Sequence, residues 1–301
     1  MPPKIPRTIP GKILDADSLA QTPWLVYGFS TRAGGFSKVY GRQTLNMGFT
    51  AQDSRHAVET NRAKLLGQLG ATSRGRAWPL VTLRQIHSDL IQCVADVPKG
   101  PFAGDGLITQ KPGILLAVLT ADCLPIVLVD PKQRAVGVFH AGWRGTVRRI
   151  VEKGVGALRL RFDTRPRDIK AAIGPGIHSC CFEVGPEVRS QFESQFDYGS
   201  ELFREIEESD PVREKYPLLF LTARAPGHSE LPKKIFLDLV EANRRQLLAA
   251  GVLPKNIEAS PLCTSCRTDL LFSHRAEKGV TGRMMAVVGI RERRESRKRS
   301  S

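Results

Sequence analysis

The sequence predicts an α+β fold, a layered α/β sandwich around a mixed β-sheet. Short apolar runs of strand length alternate with longer segments in which apolar residues recur at helical spacing. One pair of apolar runs is joined by the turn Pro131–Arg134, which is too short for a helix and therefore predicts an antiparallel hairpin. A purely parallel sheet is thereby excluded, and 41% hydrophobic residues in a chain of 301 suffice for a large core.

The elements before the hairpin follow from these patterns in chain order. We predict strands over 24–31, 80–86, 90–94 and 114–119, and a helix over 54–69. The helix carries apolar residues at helical spacing and stops at Gly70, which suits a C-terminal cap. The run 114–119 is wholly apolar, as is typical of a strand buried on both faces.

The hairpin strands, 124–130 and 135–139, are followed by further alternation. We predict a helix over 146–160, a strand over 169–173, a helix over 236–250 and a last strand over 284–290. Residues 1–22 are proline-rich and polar and predict a flexible arm, whereas residues 291–301 predict a basic disordered tail. The segment 23–290 is expected to form one catalytic domain.

The composition limits the classes of function. The net charge is +15, but the tail 291–301 supplies six basic and two acidic residues of it, that is +4. The remaining basic residues are scattered without interleaved aromatics, so a small anionic substrate is expected and nucleic acid is not. No apolar stretch approaches the roughly 20 residues of a membrane helix, and the N-terminus lacks a signal-peptide core. We therefore expect a cytoplasmic protein, no membrane partner and reduced cysteines.

Cys123 and His140 are the most informative residues of the chain. The midpoint between them falls inside the hairpin turn, so we expect them to face each other at its open end, roughly 4.5–5.5 Å apart at Cβ. This is the spacing that two ligands of one metal ion need. His87, in Gln85-Ile86-His87, would have to reach them from another strand to complete a His/Cys/His set.

The chemistry of this set stays open at the level of sequence. Three N/S ligands with a free fourth position are typical of a catalytic zinc. A Cys–His pair without metal is equally a nucleophile with its general base. A buried Cys123 with no function is the third possibility, which the glycine-rich loop after His140 makes less attractive.

Two other groups of residues predict anion binding. Arg32 precedes Ala33-Gly34-Gly35, where flexible glycines and a guanidinium would cradle phosphate, although a simple strand-exit turn has the same composition. Arg144 lies at the start of the helix after the hairpin and is either a second anion ligand or a solvated surface residue. Ser273 and Arg283 belong to a polar cluster that would bind substrate or cap the sheet.

Two carboxylates and a cysteine pair complete the candidate residues. Asp105 and Asp122 would orient a ligand histidine or move protons, while Asp105 also suits a turn before Gly106. Cys263 and Cys266 form a CxxC motif, but no second pair at zinc-finger spacing accompanies it, so the motif alone assigns no function.

Taken together, these phrases resemble the YfiH-like or YlmD-like "laccase-domain" family, whose bacterial members are also called peptidoglycan-editing factors. The resemblance extends from Gly28 to Ile290. It is carried by Ser30–Gly35, Leu45–Gly48, Gln85–His87, Asp105–Thr109, Thr120–Pro125, His140–Gly145, Cys181–Gly185, Asp238–Leu247, Phe272–Arg275 and Thr281–Arg283.

The resemblance implies a YfiH-like fold, a zinc site made by His87, Cys123 and His140, and phosphorolysis of adenosine, inosine and methylthioadenosine together with adenosine deamination. The expected partners are a purine nucleoside and phosphate, with Arg32 and Arg144 holding phosphate. Copper-dependent polyphenol oxidation is an alternative, but six histidines without a His-x-His pair do not suit a multicopper cluster. A cysteine-dependent amidase acting on peptidoglycan precursors and a basic binding module are the others.

Overall fold

The computed structural model describes residues 13–73, 75–207 and 233–292. The chain divides into two compact units, and the domain predicted over 23–290 is therefore described in two parts. The larger unit contains the residues up to His178 and those from Leu239 onward, and the smaller unit is Ser179–Asp238. Among the described residues no helix combines the length and the apolar character needed to cross a lipid bilayer.

The secondary structure agrees with the mixed pattern of the sequence. The strands are β1 (Leu25–Phe29), β2 (Ala33–Ser37), β3 (Thr72–Ser73), β4 (Arg76–Ala77), β5 (Leu80–Val81), β6 (Leu83–Arg84), β7 (Ile91–Cys93), β8 (Phe102–Ala103), β9 (Gly106–Thr109), β10 (Leu115–Thr120), β11 (Leu124–Asp130), β12 (Ala135–Ala141), β13 (Lys170–Ile173), β14 (Glu183–Val184), β15 (Phe203–Glu207), β16 (Lys233–Leu237), β17 (Ile257–Ala259) and β18 (Met284–Ile290). The α-helices are α1 (Asp17–Ala20), α2 (Arg55–Gln68), α3 (Trp143–Val147), α4 (Ile150–Phe162), α5 (Pro186–Gln195) and α6 (Leu239–Ala249).

Two sheets form the centre of the larger unit. One has six strands in the order β17-β13-β11-β12-β9-β7, and the other has four in the order β1-β18-β10-β5. Both contain parallel and antiparallel pairs. Apolar residues such as Val118, Val127, Val138 and Val288 are buried in one cluster that joins β10 and β18 of one sheet to β11 and β12 of the other. The predicted α+β sandwich around mixed sheets is thus confirmed.

Helices cover the outer faces of this sandwich. Helix α4 packs on β12 and beside α6, while Leu65 of α2 packs with Ala117, Met285 and Val287 of the four-stranded sheet. Helix α2 begins where the sequence indicates, because the Ser54 hydroxyl accepts the amide hydrogen of Ala57 at 3.1 Å as an N-terminal cap. The smaller unit has its own three-stranded sheet, in the order β14-β16-β15, with α5.

Three elements differ from the predictions. The helix expected over 146–160 is broken into α3 and α4, since Arg149 has a left-handed φ of 65°. The first residues of the helix expected over 236–250 belong to β16, which pairs with β14 and β15. Within the predicted arm 1–22, residue Leu14 pairs with Phe29 and Leu19 is fully buried, because these apolar side chains complete the core. Residues 1–12 and 293–301 lie outside the described chain.

Phe139 is the packing centre of β12, the strand that carries His140. Its ring is fully buried, and it fits only because three glycines surround it. A Cβ atom built on Gly106, Gly137 or Gly154 would approach the ring to 2.8, 2.9 and 2.6 Å, respectively. The glycine of α4 therefore allows the helix to lie close to β12, and this contact fixes the position of the strand.

We expect Gly154→Ala to destabilise the protein by about 1–3 kcal/mol, because the added methyl group overpacks the core against Phe139. Gly156 of the same helix is the matched control, since a Cβ there would meet no heavy atom within 4 Å. Gly156→Ala should leave stability unchanged or raise it by up to ~1 kcal/mol through helix propensity. Urea unfolding measures both changes. Equal midpoints for the two variants would contradict the packing argument.

Candidate metal centre

His87, Cys123 and His140 meet at one point of the larger unit. One ligand atom from each lies within 4.8 Å of the others. The two imidazole rings are 4.9 Å apart at their centroids and cross at 77°, so they approach edge to face and do not stack. His140 is buried, Cys123 is partly buried and His87 is exposed. The three residues predicted to share a metal ion are therefore brought together, with access from the side of His87.

The pairing of the hairpin differs from the one we expected. In the structure Pro125 pairs with His140 and Leu124 pairs with Ala141, so Cys123 lies just before β11 and is not opposite His140. The turn is centred one residue further along the chain than the midpoint between the two ligands. Cys123 reaches His140 because the preceding residue, Asp122, has a left-handed φ of 87° that bends the chain inward.

The turn that carries His87 is organised by the Asp105 carboxylate. This carboxylate accepts the backbone amide hydrogens of Ile86, His87 and Ser88 at 3.2, 3.1 and 2.6 Å, and the Ser88 hydroxyl at 2.7 Å. His87 itself has a left-handed φ of 55°, which a non-glycine residue adopts only at a cost in energy. The converging hydrogen bonds hold the imidazole in this conformation.

Asp105 also orients the second histidine. His140 donates through Nδ1 to the Asp105 carboxylate at 2.8 Å, and both side chains are buried. Its Nε2 is thereby left for a metal ion or a proton, an arrangement that metal-binding histidines commonly have. Although burial opposes ionisation, the His140 and Ser88 hydrogen bonds lower the Asp105 pKa to about 2. The carboxylate is thus ionised at neutral pH.

The electrostatics of the ligands favour a thiolate. Burial raises the pKa of the Cys123 thiol, but the adjacent His140 and His87 overcome this and lower it to about 6. Burial likewise lowers the His140 pKa, whereas Cys123 and Asp105 raise it to about 9. Without a metal ion the pair is a thiolate beside an imidazolium, which are the groups that ligate a soft cation once the imidazolium loses its proton.

Gly142 contributes by lacking a side chain. A Cβ atom there would lie 2.9 Å from the Cys123 sulfur and 3.4 Å from Cδ2 of His87. The backbone after His140 consequently runs directly past the ligands and leads into α3. The donor set of one thiolate and two imidazoles, with its exposed side, fits a tetrahedral cation that retains an open position.

Asp122 is fully engaged as a structural group. One oxygen of its carboxylate accepts the Thr264 hydroxyl at 2.6 Å, and the other accepts the Arg275 amide hydrogen at 2.6 Å. Its backbone carbonyl accepts the amide hydrogen of Ile177 at 2.7 Å. These contacts connect the bend before Cys123 to three other segments, and they favour an anchoring role over the proton transfer that we also considered.

The Arg32 guanidinium makes internal contacts. It pairs with Glu277 at 2.7 Å and donates to the carbonyls of Thr268 and Tyr40 at 3.1 and 2.6 Å, while it stacks over the Phe272 ring at 5.0 Å. These contacts favour a structural role over the predicted binding of phosphate. The binding role stays a prediction that the geometry does not favour.

The other predicted anion ligands differ in exposure. Ser273 is fully buried, and its hydroxyl accepts the amide hydrogen of Ala276 at 3.1 Å. Arg283 donates to the carbonyls of Thr281 and Gly282, both at 3.0 Å, within its own loop. Arg144 is exposed and lies over the Trp143 ring at 4.4 Å, two residues beyond Gly142. Of these three residues, Arg144 is the best placed to meet an anion at the metal centre.

Two supporting residues were missed at the sequence level. Gln85 bridges to β10, since its amide group donates to the Leu119 carbonyl and accepts from the Leu119 amide, both at 2.8 Å. Ser88 adds the hydroxyl that binds Asp105. Both flank His87 in Gln85-Ile86-His87-Ser88, so polar residues next to a candidate ligand were the available signal.

Comparison with known proteins gives a consistent result. The family model described as multi-copper polyphenol oxidoreductase laccase matches residues 26–291. The chain is similar to a protein named purine nucleoside phosphorylase YlmD from Geobacillus stearothermophilus, at 39% identity over 89% of this chain and 90% of the relative. It is similar to a purine nucleoside phosphorylase from Deinococcus radiodurans at 36% identity over 95% and 96%. The crystal structure of a hypothetical protein YfiH from Bacillus licheniformis superposes with a TM-score of 0.77, at 32% identity, covering 94% and 97%.

We expect Asp105→Asn to weaken metal binding by about 10- to 100-fold, because an amide cannot accept all the hydrogen bonds that position His87 and His140. The affinity for Zn²⁺ is measured by competition with a chromogenic chelator at pH 7.5. Asp89→Asn is the matched control, since it removes the same charge from a neighbouring residue that pairs with Lys153. Equal affinities for the two variants would show that Asp105 does not position the ligands.

Proposed function

The chain belongs to the family described as multi-copper polyphenol oxidoreductase laccase, and on this basis we propose that it is a zinc-dependent purine nucleoside phosphorylase. The proposed substrates are adenosine, inosine and methylthioadenosine with phosphate, and the same site would deaminate adenosine. The observation that carries the proposal is the convergence of His87, Cys123 and His140 on one point, with Asp105 behind them. The names of the two phosphorylase relatives support the choice of substrate.

Zinc suits this donor set better than copper. Three N/S ligands and a free fourth position are typical of catalytic zinc, whereas a multicopper oxidase needs several histidine-rich copper sites. Among the described residues, the one candidate metal group that contains histidine is His87, Cys123 and His140. A zinc ion bound there would supply Lewis-acid polarisation of the purine ring and a water molecule of lowered pKa.

The protein residues hold and orient in this proposal. Asp105 remains ionised and keeps the Nδ1 proton of His140, so that Nε2 faces the metal position. Asp122 fixes the bend before Cys123 through both of its carboxylate oxygens. Neither carboxylate has a free role as a proton donor in these contacts, and the proposal therefore assigns positioning to both.

Phosphate is assigned to Arg144. Its guanidinium is exposed, it follows the Gly142 segment that lies against Cys123 and His87, and planar guanidinium groups bind phosphate in bidentate fashion. Bound phosphate would then lie beside the nucleoside held at the open side of His87. Holding the two reactants together converts a bimolecular attack at the ribose C1′ into a local one.

A metal-free cysteine amidase is the second candidate, and the electrostatics of Cys123 favour it specifically. A thiol whose pKa is about 6, beside a protonated His140, is an activated nucleophile. Such an enzyme would act on amide bonds of peptidoglycan precursors and would keep its activity in the presence of a chelator. The zinc proposal predicts the opposite response to a chelator.

The central test follows the products formed from adenosine by the purified, metal-quantified protein, with and without phosphate. We expect adenine only when phosphate is present, inosine in both conditions, and loss of both products in Cys123→Ala and after chelation. Readdition of Zn²⁺ should restore both activities in the wild type alone. Undiminished phosphorolysis by metal-free protein would refute the zinc-centred site.

The assignment of phosphate to Arg144 has its own test. Arg144→Ala should raise the KM for phosphate about tenfold or more, which corresponds to the loss of about 1.4 kcal/mol of charge-assisted binding. The KM for adenosine should change little. Arg159→Ala removes an equally exposed guanidinium from α4 and is the control. An unchanged KM for phosphate in Arg144→Ala would place the phosphate elsewhere.

A further inference from the structure

The CxxC motif, Cys263 and Cys266, has no part in the proposed activity. The motif follows β17, and the two sulfur atoms lie within 4.8 Å of each other. Cys263 is 6% exposed, while Cys266 is exposed. A buried and an exposed thiol thus share one turn, with an open route to the pair from the side of Cys266.

The turn is held in place before any ligand binds. Cys263 forms a parallel β-bridge with Gly176, and the Thr264 amide donates to the Gly176 carbonyl at 3.0 Å. The Thr264 hydroxyl donates to Asp122 at 2.6 Å, and the Arg267 amide donates to the Cys263 carbonyl at 3.1 Å. The conformational entropy of fixing the two thiols is therefore already lost on folding, which favours ligand binding.

The backbone supports a charged sulfur at Cys263. The amide hydrogen of His178 points at the Cys263 sulfur, with the nitrogen 3.5 Å away. A donor directed at sulfur favours the thiolate, which is the form that ligates metals. A buried thiol that serves only as a small apolar side chain does not need such a donor.

We propose that Cys263 and Cys266 bind a thiophilic d¹⁰ cation, Zn²⁺ or Cu⁺, at a site distinct from the His87–Cys123–His140 centre. Two thiolates select these ions over harder cations such as Mg²⁺. Zinc–sulfur bonds of about 2.3 Å allow two sulfurs on one ion to be at most about 4.6 Å apart, which is close to the observed limit. Zn²⁺ would take its remaining ligands from outside this pair, water included.

The site has a structural connection to the catalytic centre. Thr264, between the two cysteines, binds the carboxylate of Asp122, and Asp122 forms the bend that directs Cys123. An ion that holds the CxxC turn would therefore also hold the residue that braces the catalytic thiolate. The two sites remain chemically independent, since they share no ligand atom.

The test measures metal stoichiometry of the full-length protein. The reduced, chelator-stripped protein is equilibrated without oxygen with Zn²⁺ in one arm and with Cu⁺ in the other, and the metal per chain is determined by elemental analysis. We expect Cys266→Ser to lose one equivalent in the arm of the ion that the pair prefers. Cys93→Ser removes another exposed cysteine, on β7, and should keep the wild-type stoichiometry.

A third variant separates this proposal from the proposed function. Cys123→Ser should lose the catalytic equivalent and keep the one bound by Cys263 and Cys266. Loss in the zinc arm alone, or in the copper arm alone, supports the site and identifies its ion. Wild-type stoichiometry of Cys266→Ser in both arms, with a wild-type circular dichroism spectrum, would overturn the site whatever the activity of the enzyme.

Discussion

The buried carboxylate of Asp105 is the interaction on which the catalytic centre depends. It accepts three successive backbone amide hydrogens at Ile86, His87 and Ser88, a hydroxyl from Ser88, and the Nδ1 proton of His140. A buried charge without partners would cost several kcal/mol, so the folded structure requires all of these donors. One charge thereby fixes a turn on one segment and a ring on another, and both turn and ring carry metal ligands.

The two loop ligands share a second feature, backbone strain braced by a carboxylate. His87 has a φ of 55°, and Asp122, next to Cys123, has a φ of 87°. A non-glycine residue in the left-handed region costs about 1–2 kcal/mol. Asp105 offsets this cost at His87 through backbone hydrogen bonds, and Asp122 does so through Thr264 and its own side chain. The strained turns project both ligands toward His140, which lies on a regular strand.

The sequence predicted those features that local patterns determine. The apolar runs of the hairpin, the central strand at 114–119 and the cap at Ser54 were found because periodicity and capping chemistry are local. The hairpin pairing was off because the centre of the turn, not the positions of Cys123 and His140, decides which residues face each other. The family resemblance supplied His87 as a ligand, which spacing alone could not do.

Contacts between distant segments explain what the sequence did not predict. Arg32 beside two glycines has the composition of an anion cradle, yet its charge is neutralised by Glu277, far along the chain. Arg149 breaks the helix after the hairpin without a glycine or proline to signal the break. In both places tertiary packing overrides the local pattern, and such packing is not encoded by residues close in sequence.

The charge of the centre gives a physical reason to prefer a divalent ion. Between pH 6 and 9 the metal-free site holds a thiolate at Cys123, an imidazolium at His140 and an ionised Asp105. Displacement of the imidazolium proton by a metal leaves two negative charges, which a divalent cation neutralises and a monovalent one does not. Because phosphate is itself anionic, a residual negative charge would repel it at close range. The same argument explains why an exposed guanidinium, that of Arg144, next to a neutralised centre is sufficient to attract phosphate, whereas the arginine already paired with Glu277 is not needed for that purpose.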